Sequence, residues 1–430
     1  MAEPLTDKLS QAPEITTDIF GGVLVYDAAG HYPGLELLNL VFNTKADTLL
    51  PDTDSIKIQR RAHDFARKVV WDENFIDDPR RADVLLNDQH AEDSIRELLL
   101  CLQLDIPSGA TSPSWSRAHF FPYTKSLIHW DARDRRNGVS LERVYLRGGG
   151  ALAHKILRQD HNNCRLQRIR AGFNQLYLPT EDTPLEALAE FLSLQGTIDN
   201  NLFLDEIEHQ SKANIDAFED CYREGILNIL EQQNITTVAK LKAVMSWTGI
   251  WLVLMQNQRA NNRLGKSPLP IICDCGSGNS QLRREAQRCL QDIQVAIMSA
   301  ATKGNPNLAN KQRNNIRSFF WATAAANGLL NAWKGRKHFT LSISTLEMIV
   351  LSRIQPGHAV PFESFVHNIL FEELGLVVGR KAAEKIGLVN KIDASIFEEN
   401  ENQLANQMIA AGLVTQFSDA TRMVNPGSAS

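Results

Sequence analysis

Glu398-Glu399-Asn400-Glu401-Asn402-Gln403-Leu404-Ala405-Asn406-Gln407-Met408-Ile409-Ala410-Ala411-Gly412-Leu413-Val414 carries three structural signals in one run. Leu404, Met408 and Ile409 recur at helical spacing and predict a helix from Glu398 to Ala411. Gly412 follows at the expected C′ position, where a residue without Cβ adopts left-handed φ at no steric cost. Leu413-Val414 then opens a strand, Phe417-Ser418-Asp419-Ala420 turns, and Met423-Val424 returns.

Upstream lie two more helices. Ser342 to Arg353 places Leu346, Ile349 and Val350 inward. Pro361, read as an N1 proline, opens the next, with Phe362, Phe365, Ile369 and Leu370 on its apolar side. Helices followed by a small hairpin predict a winged-helix-like C-terminal module. In a DNA-reading version the third helix enters the major groove with basic or amide side chains. Here it carries Glu398, Glu399 and Glu401 and no Lys or Arg, which repels phosphate. The module therefore reads as a protein-interaction or dimerisation element.

Further upstream the chain remains helical. Leu185, Leu188, Ala189 and Leu192 form one stripe, and Ile215, Phe218, Tyr222, Ile226, Ile229 and Leu230 another. A helix continues from Val238 to Gln258. Pro268 to Cys275 reads as a short strand, turning through Gly276-Ser277-Gly278 into a helix capped by Asn279 or Ser280. Near the N-terminus, Ile19 to Tyr26 is strand-like; Ile56 to Val70 reads as a helix capped by Asp54-Ser55, and Glu92 to Leu104 as another, with Ile95, Leu98, Leu99 and Leu102 inward. The predicted fold class is mainly α with a few short strands (α+β). Its expected units are an N-terminal mixed α/β domain (1–110), a central helical domain (111–303), a C-terminal helical, winged-helix-like domain (304–424) and a tail (425–430). The break rich in Pro, Ser and Gly from Ile106 to Ser116 marks the first boundary.

A chain of 430 residues, 43% hydrophobic and 22% charged, has the composition of a globular protein of two or three domains. No basic n-region precedes an apolar run at the start, and no run approaches the ~20 apolar residues of a membrane span. The six cysteines are scattered; Cys273-Asp274-Cys275 lacks the spacing of a zinc or redox pair. These features predict a cytoplasmic protein with reduced thiols, no membrane association and no cofactor.

Charge is segregated along the chain. Arg133 to Arg170 holds ten Lys/Arg against three acids, and Glu181 to Glu224 holds twelve Asp/Glu against two bases. Between Ile293 and Leu346 there is no acid at all. Such asymmetry marks either a polyanion-binding face or two segments that neutralise each other inside the fold. On the first reading, two groups are candidates for nucleic-acid phosphates. Arg143, Arg147, Lys155 and Arg158 surround the Arg147-Gly148-Gly149-Gly150 turn, whose glycines and following helix N-terminus favour anions. Lys311, Arg313, Arg317, Arg336 and Lys337 stay outside an acid-free stretch whose Phe319, Phe320, Trp321 and Trp333 pack inward.

Catalytic signals are sparse. Asp274 before Gly276-Ser277-Gly278 resembles the strand-end geometry of phosphate or metal sites, but no Lys-Ser/Thr completes a P-loop. Asp131 and Asp134 could hold a divalent metal in a nuclease, yet Asp134 sits among Arg133, Arg135 and Arg136. No nucleophile elbow, zinc helix or kinase set is present. No catalytic residue and no metal ligand is assigned.

Phe362-Glu363-Ser364-Phe365, Leu374-Gly375-Leu376-Val377-Val378-Gly379, Phe397-Glu398-Glu399-Asn400, and Ala411-Gly412-Leu413-Val414 through Ser418-Asp419-Ala420, with Arg147 to Leu152, resemble accessory proteins of prokaryotic anti-phage defence loci. The accessory subunits of DNA-phosphorothioation-dependent restriction are one such group. The resemblance covers about a quarter of the chain. It implies a non-catalytic structural or adaptor subunit of a bacterial DNA-targeting complex, working with an ATPase or nuclease subunit and touching DNA through phosphates. The competing readings are a metal-dependent nuclease and a winged-helix transcription regulator.

Overall fold

A computed structural model describes residues 32–43, 47–50, 53–62, 64–71, 88–104, 120–135, 138–141, 149–177, 183–193, 197–203, 217–303, 308–332, 336–418 and 421–426. These are mainly helical with small sheets, an α+β chain as expected. The strand-like run Ile19 to Tyr26, the break from Ile106 to Ser116 and Trp333 lie outside the described residues.

The N-terminal part contains helix α1 (Tyr32–Val41), strand β1 (Ser55–Ala62), and helices α2 (Asp64–Trp71) and α3 (Gln89–Cys101). The helix expected over Ile56 to Val70 is in fact a strand and then a helix. Ile56, Ile58 and Ala62 alternate with more exposed residues, a period of two, and only Phe65, Ala66 and Val69 keep helical spacing. Helix α3 starts three residues earlier than expected because the Asp88 carboxylate accepts the His90 and Ala91 N–H groups. Leu98, expected inside, is 39% exposed, while Leu99 beside it is buried.

Helix α4 (Lys125–Ile128) leads into β2 (Trp130–Arg135) and β3 (Gly138–Leu141). Helices α5 (Gly150–Arg158), α6 (Asn163–Asn174) and α7 (Pro184–Leu192) and strand β4 (Thr197–Phe203) follow. The four strands form one sheet in the order β3-β2-β1-β4, with β1 parallel to β2 and antiparallel to β4. A small core beside this sheet joins Phe65, Val69, Leu99, Phe120, Trp130 and Leu192.

The main core is built on α9 (Thr237–Leu264), preceded by α8 (Ala217–Glu231). The Thr236 hydroxyl caps α9 at Ala239 N–H, and Gly265 at φ +72° ends it. Trp247, Trp251, Val253 and Met255 bury different sides, which marks a central core helix. By length and composition α9 could cross a membrane, but 72% of its most apolar window is buried inside the protein. It packs against α1, α8, α10 (Ser280–Lys303), α11 (Asn310–Ala326) and α12 (Ile343–Arg353). The α8 crossing requires Gly225, since a Cβ there would lie 2.3 Å from the Trp247 Nε1. This core runs from Leu35 to Val424 and so draws on residues of all three sequence spans.

Strand β5 (Ile271–Ile272) precedes α10, whose cap is Asn279: its Oδ1 accepts the Gln281 and Leu282 N–H groups. After α12 come β6 (Val360–Pro361), α13 (Phe362–Ser364) running into a π-helical segment (Phe365–Glu373), β7 (Leu376–Val377), α14 (Arg380–Lys385), α15 (Ala394–Ala410), β8 (Val414–Ser418) and β9 (Thr421–Val424). Pro361 is the N-cap rather than N1, because its backbone belongs to β6 and pairs with Met423. The last three strands form an antiparallel sheet, β6-β9-β8. Helix α15 ends as read: Gly412 has φ +73°, its N–H reaches Ile409 O at 3.0 Å, and Leu413 N–H reaches Met408 O at 2.9 Å.

Parallel pairing of β5 with β7 joins this segment to the main core. Buried Asn400 of α15 reinforces the joint. Its Nδ2 donates to Cys273 O and Val378 O, both at 3.0 Å, and its Oδ1 accepts Cys275 N–H at 2.7 Å.

Cys221, Cys273, Cys275 and Cys289 are buried, whereas Cys101 and Cys164 are exposed. Burial pushes the Cys221 thiol up to about 11 and Cys289 up to about 12, so little reactive thiolate forms at neutral pH. Titration with a disulfide reagent is expected to label Cys101 and Cys164 rapidly in the native protein and all six thiols only after unfolding. A third fast thiol would show that the core opens around β5 or α8.

Candidate nucleic-acid interface

Much of the segregated charge neutralises itself. Arg165 of α6 donates to Asp160 through Nε and to Asp220 of α8 through Nη2, both at 2.5 Å. Arg168 pairs with Glu231 at the end of α8, and Arg223 and Arg259 both approach Glu219, which is fully buried. Arg353 of α12 bridges Glu224 at 3.5 Å and Glu373 at 2.7 Å. The basic stretch ending at Arg170 and the acidic stretch ending at Glu224 thus meet across the α6–α8 contact. Pairing offsets part of the desolvation cost that burying either charge alone would carry.

The glycine-rich turn before α5 has an internal anion. Gly149, at φ +95°, is the N-cap, and the Glu36 carboxylate of α1 accepts the Gly150 N–H at 2.9 Å. A Cβ on Gly150 would sit 2.6 Å from the Glu36 Cβ, so the glycine permits this approach. The positive end of α5 is therefore satisfied from within the chain. Of the four basic residues assigned to this turn, Arg143 and Arg147 lie outside the described residues. Lys155 is half-buried, and the Arg158 guanidinium donates to Leu50 O and Thr53 O.

Asp274 is likewise committed. Its Oδ1 accepts Gly276 N–H, Ser277 N–H and the Ser277 hydroxyl, and its Oδ2 accepts Arg283 Nε at 2.8 Å. Burial by itself would raise its pKa, but the bonds from Arg283 and Ser277 outweigh it and hold the carboxyl below the usual range. The arrangement is a turn and an ion pair. Asp131 and Asp134 lie on β2, and their side chains are outside the description. No group of three or more His, Cys, Asp and Glu gathers for a metal among the described residues.

The acid-free stretch is different. Arg313, Arg317 and Trp321 follow one another at i, i+4 and i+8, so α11 presents them along one line. Arg317 is exposed, Arg313 is half-buried, and Lys311 lies on the same helix. Beyond α11 the chain returns on itself through the Leu330–Phe339 bridge. That return carries exposed Arg336 and places the Lys337 ammonium 3.9 Å from the Trp321 ring centroid. Burial holds Lys337 below the usual lysine range, and the ring face offers the cation a partner. Phe319 and Phe320 are inside as expected; Trp321 is only partly so. Sequence reading placed Trp321 wholly inward because an aromatic cluster hides which ring faces out.

On α15 the exposed face carries Glu398, Glu399, Asn402 and Asn406, whereas Asn400 faces inward and Gln407 donates to Cys275 O. Two of its amides thus serve the fold. Glu398 pairs with Arg380 of α14.

No family model matches the chain, and neither a curated protein nor a solved structure matches it.

Proposed function

We propose that this chain is a non-catalytic adaptor subunit of a bacterial DNA-targeting defence complex. It holds nucleic-acid phosphates on the α11 face and a protein partner, an ATPase or nuclease subunit, on its C-terminal module. The carrying observation is the Arg313–Arg317–Trp321 line with Lys337 over its ring and Arg336 beside it, in a stretch without a single acid. Phosphate contacts of this kind bind without reading sequence. A winged-helix-type reading of the C-terminal module is supported by its order of helix, strand, helices and hairpin with the sheet β6-β9-β8. The exposed carboxylates of α15 favour a protein partner over DNA for that module.

The test has two arms. Random duplex DNA should bind with a salt dependence whose slope falls by about one unit for each of Arg317→Ala and Arg336→Ala. An affinity pull-down of the tagged chain should recover an ATPase or nuclease that persists after nuclease treatment. Unchanged slopes would remove the phosphate face, and the absence of any nuclease-resistant partner would remove the adaptor role.

A further inference from the structure

A cleft of about 490 Å³ opens where the small sheet-side core meets the helical core. Junctions between packed units are favoured places for small ligands. Its wall combines three cations, Arg61 of β1, Lys125 of α4 and Arg170 of α6, with three carboxylates, Asp47, Glu186 and Glu190. Formal charge is balanced, but hydrogen-bonding capacity is not.

Two of the carboxylates are spent and the third is tied to Arg61. Asp47 accepts Arg170 Nε at 2.7 Å on one oxygen and Leu49 N–H at 3.1 Å on the other. Glu186, buried, accepts both the N–H and the hydroxyl of Ser126. Glu190 accepts Arg61 Nη2 at 3.1 Å and is itself half-exposed to solvent. The imidazole at the cleft wall is spent too. Burial, together with the charges of Arg61 and Arg60, lowers the His129 pKa to about 3, so the ring is neutral, and Asn39 approaches its Nδ1 at 3.4 Å.

What remains is donors. Arg61 Nε is buried and has no acceptor among the described residues. The Lys125 ammonium is exposed at the rim and makes no hydrogen bond or ion pair among them. A buried donor without an acceptor is a standing cost that an incoming acceptor relieves. The lining also includes the apolar residues Val41, Phe42, Leu49 and Phe173.

We propose that this cleft binds a small organic anion: a phosphate or carboxylate group held by Arg61 and Lys125, on a flat or apolar body lying against Phe42 and Leu49. This site is separate from the α11 face and does not depend on the adaptor reading. The full chain would be titrated calorimetrically with inorganic phosphate, adenosine monophosphate, benzoate and, as the uncharged control, adenosine. Saturable binding of adenosine monophosphate or benzoate, tighter than inorganic phosphate, is expected. Preference between the two identifies the group as phosphate or carboxylate. Lys125→Glu should weaken it at least tenfold; this side chain is exposed and has no partner among the described residues, so the fold is kept, as circular dichroism would verify. Arg61→Met should do the same, and Arg317→Ala should leave it unchanged. The proposal is overturned by adenosine binding as well as adenosine monophosphate, by Lys125→Glu binding like the unmodified chain, or by no saturable binding of any anion.

Discussion

Glu219→Ala is expected to lower the stability of the helical core by about 3–5 kcal/mol. Glu219 is fully buried on α8, between Arg259 of α9 and Arg223 one turn along its own helix. Arg259 Nη2 donates to its Oε1 at 2.5 Å, and Arg223 Nη2 lies 3.6 Å from its Oε2. Both guanidiniums are almost wholly buried, with side chains 8% and 1% exposed. Deleting the carboxylate leaves two cations in a low-dielectric interior with reduced compensation, and that cost exceeds the net worth of the pair. Urea unfolding followed by tryptophan fluorescence reads this directly. The Trp251 indole N–H donates to Phe218 O at 3.0 Å, immediately beside Glu219. Glu231→Ala, which breaks the more exposed pair with Arg168, should cost under about 1 kcal/mol. Equal losses in the two variants would mean that water reaches Arg223 and Arg259.

Asn400→Leu keeps side-chain size but removes three hydrogen bonds at the joint between α15 and the β5–β7 pair. Cys275 N–H, Cys273 O and Val378 O would lose this partner, at about 1–3 kcal/mol for each group left unsatisfied. The expected total is about 3 kcal/mol or more. Loss should localise, with faster hydrogen exchange at Ile271 to Cys275 and Leu376 to Val378, because that pair is only two residues long. Asn402→Leu on the exposed face of α15 should change stability by less than about 0.5 kcal/mol. Uniform exchange across the chain in Asn400→Leu would instead place the joint within one global unfolding unit.

These two sites differ in how visible they are in sequence. The helix holding Asn400 was legible from Leu404, Met408, Ile409 and Gly412, yet nothing in that run distinguished Asn400 from Asn402. One is buried and the other exposed. Glu219 belonged to an acidic stretch in which Asp220 and Glu224 pair with cations on other helices. The run at Ile56 to Val70 was misread because six apolar residues mixed two periods, and a window covering both fits a helix as well as a strand. The small-anion cleft had no sequence signal, since Arg61, Lys125 and Arg170 come from three elements that spacing cannot relate.

Local signals in the sequence determined the predominance of helix, a cap at Asn279 or Ser280, the glycine stop at Gly412 and the lack of acid around α11. Each depends on neighbours within one or two turns, where backbone geometry and side-chain type suffice. Tertiary structure alone decided which charges are free. Glu36 reaches Gly150 across 114 residues, and Arg170 reaches Asp47 across 123. An ion pair depends on a separation of a few ångströms in space, and that separation is set by how the helices pack.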